Sequence, residues 1–327
     1  MAASASVATA RQRVLLLTDP AMEAHAYPGH PERPERLAAA AEGVRSGAAV
    51  AGALLTQRRP QPIADELLAL VHDPAYIEAL DRLDMSGGGF LDPDTYVSRG
   101  SMAAARLAAG ATVEAARAVR AGETEVAFAA ARPPGHHAAR RRGAGFCLLN
   151  NVAVAVTALL ADGVERAAIV DWDVHHGDGT QEIFDGDAAV LYASTHQSPL
   201  YPGTGHPRER GRGAGEGTML NLLLAPGSGD AEFEAAWTGE LLPAIEAFRP
   251  NAVLVSAGYD GHRDDPLANL AITEAGYWSV ASELGTVLAR LGVRGVALAL
   301  EGGYDLDALA ASVSATVVGL LGGLGSR

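Results

Sequence analysis

The stretch Asp171-Trp172-Asp173-Val174-His175 sets two carboxylates and an imidazole at alternating positions. In an extended chain, side chains two apart share a face, so Asp171, Asp173 and His175 can point one way. Carboxylate oxygen beside imidazole nitrogen suits zinc or another borderline divalent cation. A further ligand must come from elsewhere, and Asp265, ahead of Pro266, is the best-placed candidate. Three protein ligands leave a position open for water, the arrangement of catalytic zinc. The competing structural reading, carboxylates that cap helices or close turns, loses ground once His136-His137 is added. That pair follows Pro133-Pro134-Gly135, a stiff turn that directs both rings. Histidine, with an ordinary pKa of about 6.5, is the natural proton shuttle at neutral pH. Asp171 and Asp178 are available to set the two tautomers. Tyr304 follows Gly302-Gly303, where the backbone can approach a ligand and a phenol can donate to a developing oxyanion. Cys147 is the rival nucleophile, and a thiolate would leave the carboxylates without a task.

These groups sit at the ends of short aliphatic runs: 14–18, 125–130, 167–171, 190–194, 218–223, 252–257 and 296–300. The runs lack clean alternation, as expected of strands covered on both faces. Helix-length segments separate them: 101–120 with Ser98 or Ser101 as cap, 146–160, 231–248, 274–291 and 307–321. Strand alternating with helix predicts an α/β fold with a parallel sheet, whose ligands bind beyond the strands' carboxyl ends. Residues 37–83 read as a largely helical layer broken at Pro60, Pro62 and Pro74. No linker or repeat divides the chain. We expect a flexible tail over residues 1–12, with no secretory signal, and one catalytic domain over 13–327.

The chain has 327 residues, 48% of them hydrophobic and 20% charged, enough apolar surface for a sizeable core. Its net charge of −14 disfavours direct nucleic-acid binding and would draw cationic substrates. All 25 basic residues are arginine, which excludes a Schiff-base or phosphate-loop lysine. A single cysteine, Cys147, excludes an intrachain disulfide and suits a reducing cytoplasm. Arg140-Arg141-Arg142 ahead of the uncharged stretch 143–161 imitates a membrane span. That stretch, however, opens on Gly143-Ala144-Gly145 and holds Asn150-Asn151, so no membrane partner is expected.

Taken together, the motifs resemble the histone deacetylase superfamily, including class II histone deacetylases and bacterial acetylpolyamine amidohydrolases. The matching stretches run in the family's order from His30 to Tyr304: 30–37, 132–137, Gly145-Phe146-Cys147, 171–179, 201–205, Asp265-Pro266-Leu267 and 301–304. The resemblance implies a single-domain, three-layer arginase/deacetylase-type fold around an eight-stranded parallel sheet. It implies zinc on Asp173, His175 and Asp265, with Asp171 orienting His136 and Asp178 orienting His137. Gly145, Phe146 and Tyr201 would line an acyl-lysine tunnel, with Leu267 and Asp94 at its rim. A potassium ion would sit on Asp171, Asp173, His175 and Ser194. The implied activity is hydrolysis of acetyl-lysine or a related N-acetylated amine to release acetate. Tyr304, where some members carry His, favours a competent deacetylase. Leu267, where polyamine-specific members carry an acid, favours acyl-lysine over acetylpolyamine. Zinc against iron stays open, as do physiological substrate and homo-oligomerisation. The rival readings are a dinuclear manganese ureohydrolase and a non-catalytic acyl-ligand binder.

Overall fold

The computed structural model describes residues 11–326. Its strands are β1 (Arg13–Leu17), β2 (Leu54–Arg58), β3 (Gly88–Phe90), β4 (Tyr96–Ser98), β5 (Val126–Ala129), β6 (Ala167–Asp171), β7 (Val190–Gln197), β8 (Met219–Leu224), β9 (Ala252–Ala257) and β10 (Val296–Leu300). Its helices are α1 (Glu35–Val50), α2 (Asp65–Val71), α3 (Pro74–Met85), α4 (Ser101–Ala121), α5 (Asn151–Ala161), α6 (Asp178–Phe184), α7 (Asp230–Ala236), α8 (Leu242–Phe248), α9 (Glu274–Leu291) and α10 (Leu306–Leu324). Eight strands form one parallel sheet in the order β2-β1-β5-β10-β9-β6-β7-β8, while β3 and β4 make a small antiparallel ribbon.

Alternation along the strands decides the layering. Val14, Leu16, Val126 and Phe128 pack with α1, α9 and α10 on one face, while Leu15, Leu17, Ala127 and Ala129 pack with α4 and α5 on the other. The result is an α/β three-layer fold whose central strands are buried on both sides. α10 is the one helix among the described residues long and apolar enough to cross a membrane. Its Leu309, Val313, Val317 and Leu320 are nevertheless buried in the first of these layers, beside α1 and α9.

Several expectations shift. β2 lies inside the segment read as helical; it is an edge strand paired only with β1, and all its residues are exposed. An uncovered edge has no need of an apolar run, so Leu54-Leu55-Thr56-Gln57-Arg58 carries little strand signal. The helix expected over 146–160 begins at Asn151, with Asn150 as the cap that accepts from Ala153 N. The helix expected over 231–248 is interrupted by a π-helical turn at Trp237–Leu241, where the buried indole donates to Thr195 Oγ1. Of the expected tail, residues 1–10 lie outside the described residues, while Arg11 and Gln12 are tied to Gly52 O and Leu321 O.

Candidate active site

A parallel sheet delivers every strand's carboxyl end to one edge, and the chemistry-bearing residues gather there. Ala129 of β5 leads to His136 and His137, Asp171 ends β6, Ala257 of β9 leads to Asp260, and Leu300 of β10 leads to Tyr304. A cavity of about 240 Å³ opens among them, lined by Asp94, His136, His137, Gly145, Phe146, Asp173, His175, Tyr201, Leu267 and Tyr304.

Asp173, His175 and Asp260 offer ligand atoms that all lie within 4.8 Å of one another, the one such group of three His, Cys, Asp or Glu residues among the described residues. His175 Nδ1 stands 3.1 Å from both Asp173 Oδ1 and Asp260 Oδ2. Burial works against the charge of His175, but the two carboxylates outweigh it and push the imidazole up to about 10. The carboxyl of Asp260 is raised by burial and by the neighbouring Asp173. Two buried acids held this close are costly unless a cation lies between them.

Asp265, expected as the third ligand, is placed elsewhere. Its Oδ2 accepts from Tyr304 N at 2.6 Å and its Oδ1 from Leu267 N at 3.0 Å, so both oxygens serve backbone amides. Of the two carboxylates that follow β9, Asp260 meets His175 and Asp265 binds the turn that presents Tyr304. Burial and the charge of Asp260 raise the Asp265 carboxyl to about 7. Asp171 lies behind the ligand group. Its Oδ2 accepts from His136 Nδ1 at 3.1 Å and from the Tyr192 hydroxyl at 3.0 Å. Ser194 pairs with Asp171 in register, its Oγ 3.0 Å from His196 Nδ1.

Their surroundings push the two adjacent histidines in opposite directions. Burial disfavours a proton on His136, but Asp173 and Asp171 override it and raise the ring well above the usual value. His137 is lowered to about 3 by burial and by its cationic neighbour, against the pull of Asp178. Its Nδ1 donates to Asp178 Oδ1 at 2.7 Å, which leaves Nε2 as the unprotonated ring nitrogen. Gly145 has φ +54, and a Cβ there would strike the His137 ring. Phe146 also adopts a left-handed φ of 71, unusual for a bulky residue and typical of strain held at a working site. Its ring faces Tyr304 edge-on at 5.8 Å. Tyr201, 44% exposed, meets His137 edge-on at 5.1 Å. Burial and the charge of Asp260 keep the Tyr304 phenol protonated. Burial likewise raises the Cys147 thiol well above its usual range, which removes it as a nucleophile.

Residue-by-residue reading left two features unassigned. Glu301, buried, accepts from Gly135 N, His136 N and Ser256 Oγ, joining the histidine turn to β10. Arg36, also buried, donates to Gly303 O at 2.6 Å and to Glu301 O, and lies 4.8 Å above the Tyr304 ring. Arg36 is held in turn by Glu32, which also pairs with Arg132. The charged run 30–37 thus braces the turn that presents Tyr304, a partnership spanning 267 positions that no local signal could display.

The histone deacetylase domain, as a family model, matches residues 30–320. The chain belongs to the histone deacetylase family. It is 43% identical over 280 residues to a probable deacetylase of Archaeoglobus fulgidus, covering 86% of this chain and 78% of that one. It is 38% identical over 281 residues to a histone deacetylase-like amidohydrolase of Pseudomonas aeruginosa, covering 85% and 73%. The crystal structure of the HDA15 HD domain superposes with a TM-score of 0.88 at 38% identity, over 95% of this chain and 90% of that one.

Proposed function

We propose that this histone deacetylase-family protein is a zinc-dependent amidohydrolase that removes acetyl groups from acetyl-lysine or a related N-acetylated amine. The observation that carries the reading is one cavity lined by His137, Tyr304, Asp173 and His175, with the buried Asp260 carboxylate 3.1 Å from His175 Nδ1. Asp173, His175 and Asp260 fit a divalent cation, being buried nitrogen and oxygen donors with surplus negative charge. When bound, such an ion activates water and polarises the amide carbonyl. His137, its Nδ1 proton fixed on Asp178, accepts the water's proton at Nε2 and returns it to the departing amine. His136, which Asp173 and Asp171 bias toward its protonated form, would place positive charge beside the developing negative charge. Tyr304 donates a hydrogen bond from its phenol to the oxyanion. Phe146 and Tyr201 bracket the acyl-bearing chain, and Asp94 stands at the rim for the substrate backbone or its cationic end. Leu267 in the lining favours an acyl-lysine over an acetylpolyamine. A potassium ion on Asp171, Asp173, His175 and Ser194 is part of the proposal, supported by the β6–β7 register that pairs Asp171 with Ser194. A cytoplasmic setting belongs to it too, supported by the lone unpaired Cys147.

A dinuclear manganese ureohydrolase would need ligands in two clusters, and a silent acyl binder would have no use for His137 and Tyr304. The test is acetate release from an acetyl-lysine peptide and from acetylspermidine, with and without chelator, by the wild type and by Tyr304→Phe. We expect chelator-sensitive turnover that favours the peptide, and a kcat loss of about 10²–10³ in the variant. Equal turnover by wild type and Tyr304→Phe, or a preference for acetylspermidine, would overturn the corresponding part of the reading.

A further inference from the structure

The run Arg140-Arg141-Arg142 resembles an undirected patch of surface charge, but the structure gives its members different tasks. Ala139 N donates to Arg142 O at 2.8 Å, closing a turn that spreads the three side chains apart. Arg141 reaches Asp73 Oδ2 at 2.8 Å, and Asp73 N donates to Arg140 O, which pins the turn to the start of α3. Arg142 turns inward, and its Nη2 donates to Asp178 Oδ2 at 2.8 Å. The other oxygen of the same carboxylate takes the His137 Nδ1 proton at 2.7 Å. A line of contacts therefore runs from solvent to the cavity, with side-chain exposures of 47% at Arg142, 12% at Asp178 and 4% at His137.

A carboxylate gripped through one oxygen can still rotate about its own bond. Charge-assisted hydrogen bonds to both oxygens from opposite sides fix its plane. No other side chain among the described residues donates to Asp178, so Arg142 alone supplies the second grip. Glu182, 3.8 Å from the same guanidinium, steadies it from the solvent side.

We propose that Arg142 is a positioning residue, which clamps the outer oxygen of Asp178 and thereby fixes the ring orientation and tautomer of His137. The proposal rests on reading His137 as the proton carrier of the deacetylase reaction. Arg142 does not line the cavity, so its loss is felt in proton transfer rather than in substrate capture.

The experiment compares the full-length, zinc-loaded wild type with Arg142→Ala and Arg142→Lys on an acetyl-lysine peptide. Hydrogen-bond partners one step behind metal ligands typically contribute roughly 10–100-fold, and for Arg142, one step behind His137, we expect kcat of Arg142→Ala to fall by about tenfold. KM should stay within about twofold, the signature of an interaction that serves the chemical step. Added guanidinium chloride at millimolar concentration should restore part of the loss, because the site it would refill is half exposed. Arg142→Lys should retain most of kcat. A second readout is independent of turnover: in ¹⁵N-histidine-labelled protein, with and without zinc, the His137 Nδ1–H resonance should shift and exchange faster with water in Arg142→Ala. An unchanged resonance, an unchanged kcat, or a kcat loss that neither guanidinium nor lysine restores would each overturn the inference. Absence of acetate release by the wild type, with the resonance altered in the variant, would instead count against the deacetylase reading and leave the clamp standing.

Discussion

Asp260 and Asp265 stand a short loop apart and carry the same functional group, yet their surroundings assign them different work. Asp260 faces His175 and Asp173, while Asp265 spends both oxygens on the amides of Tyr304 and Leu267. Asp260→Asn removes a donor from the group proposed to hold the cation and should lower bound metal per chain after dialysis. The affinity loss should exceed the roughly 10–100-fold typical of groups one step behind a ligand. Asp265→Asn should keep its metal and lose kcat, because the strand end presenting Tyr304 is loosened. Metal analysis of the two purified variants checks this, and the reverse pattern would return Asp265 to the ligand set.

At the scale of elements, Asn150 shows how a helix start doubles as scaffolding. Its Oδ1 caps α5 by accepting from Ala153 N, and its Nδ2 donates to Ala138 O beside the histidine pair and to Thr180 Oγ1 on α6. One buried amide thus ties α5, α6 and the His136-His137 turn together. Loss of the cap and of buried hydrogen bonds in Asn150→Ala should cost about 2–4 kcal/mol. Asn150→Ser, which keeps a capping acceptor, should cost less. Urea unfolding of both variants measures the difference, and equal destabilisation would show that the cap contributes little.

For the whole molecule, two buried histidines that the fold keeps neutral contribute to acid sensitivity. His25 is stacked on Tyr96, and His72 donates from Nδ1 to Ala139 O while its Nε2 accepts from Asn150 N. Burial lowers both rings from 6.5 to about 4. Between those values the unfolded chain binds protons that the folded one refuses, so stability is full above pH 6.5 and falls as pH drops toward 4. The loss should reach about 2 kcal/mol per histidine by pH 5. Glu32 has the opposite origin and a lower window. Burial opposes its charge, but Arg132 and Arg36 hold it down at about 2, so its contribution is lost only as pH falls from 4.5 toward 2. Urea midpoints at pH 7 and pH 5 should show the histidine loss in the wild type and a smaller one in His72→Gln. An equal drop in both would exclude His72 as a source.

Most of the architecture was legible in the chain because parallel strands buried on both faces are dominated by apolar residues, as β1, β5, β6, β9, β10 and the first half of β7 are. β2 was not, since an exposed edge strand imposes no such composition. The residues gathered around the cavity were also legible as a group: His136, His137, Asp171, Asp173, His175, Asp178 and Tyr304 carry proton-exchanging or ligand-forming side chains and cluster after strand ends. Spacing within one segment could pair Asp173 with His175, which stand two residues apart on the bend that follows β6. It could not choose between Asp260 and Asp265, because that choice depends on where a loop from β9 crosses a site built on β6. Nor could it find the grip of Arg142 on Asp178 or of Arg36 on the Tyr304 turn. Local sequence sets what each element is made of and which way its side chains alternate. Which distant carboxylate meets which imidazole is decided only when the sheet brings separate strand ends to one edge and burial makes each unpaired charge costly.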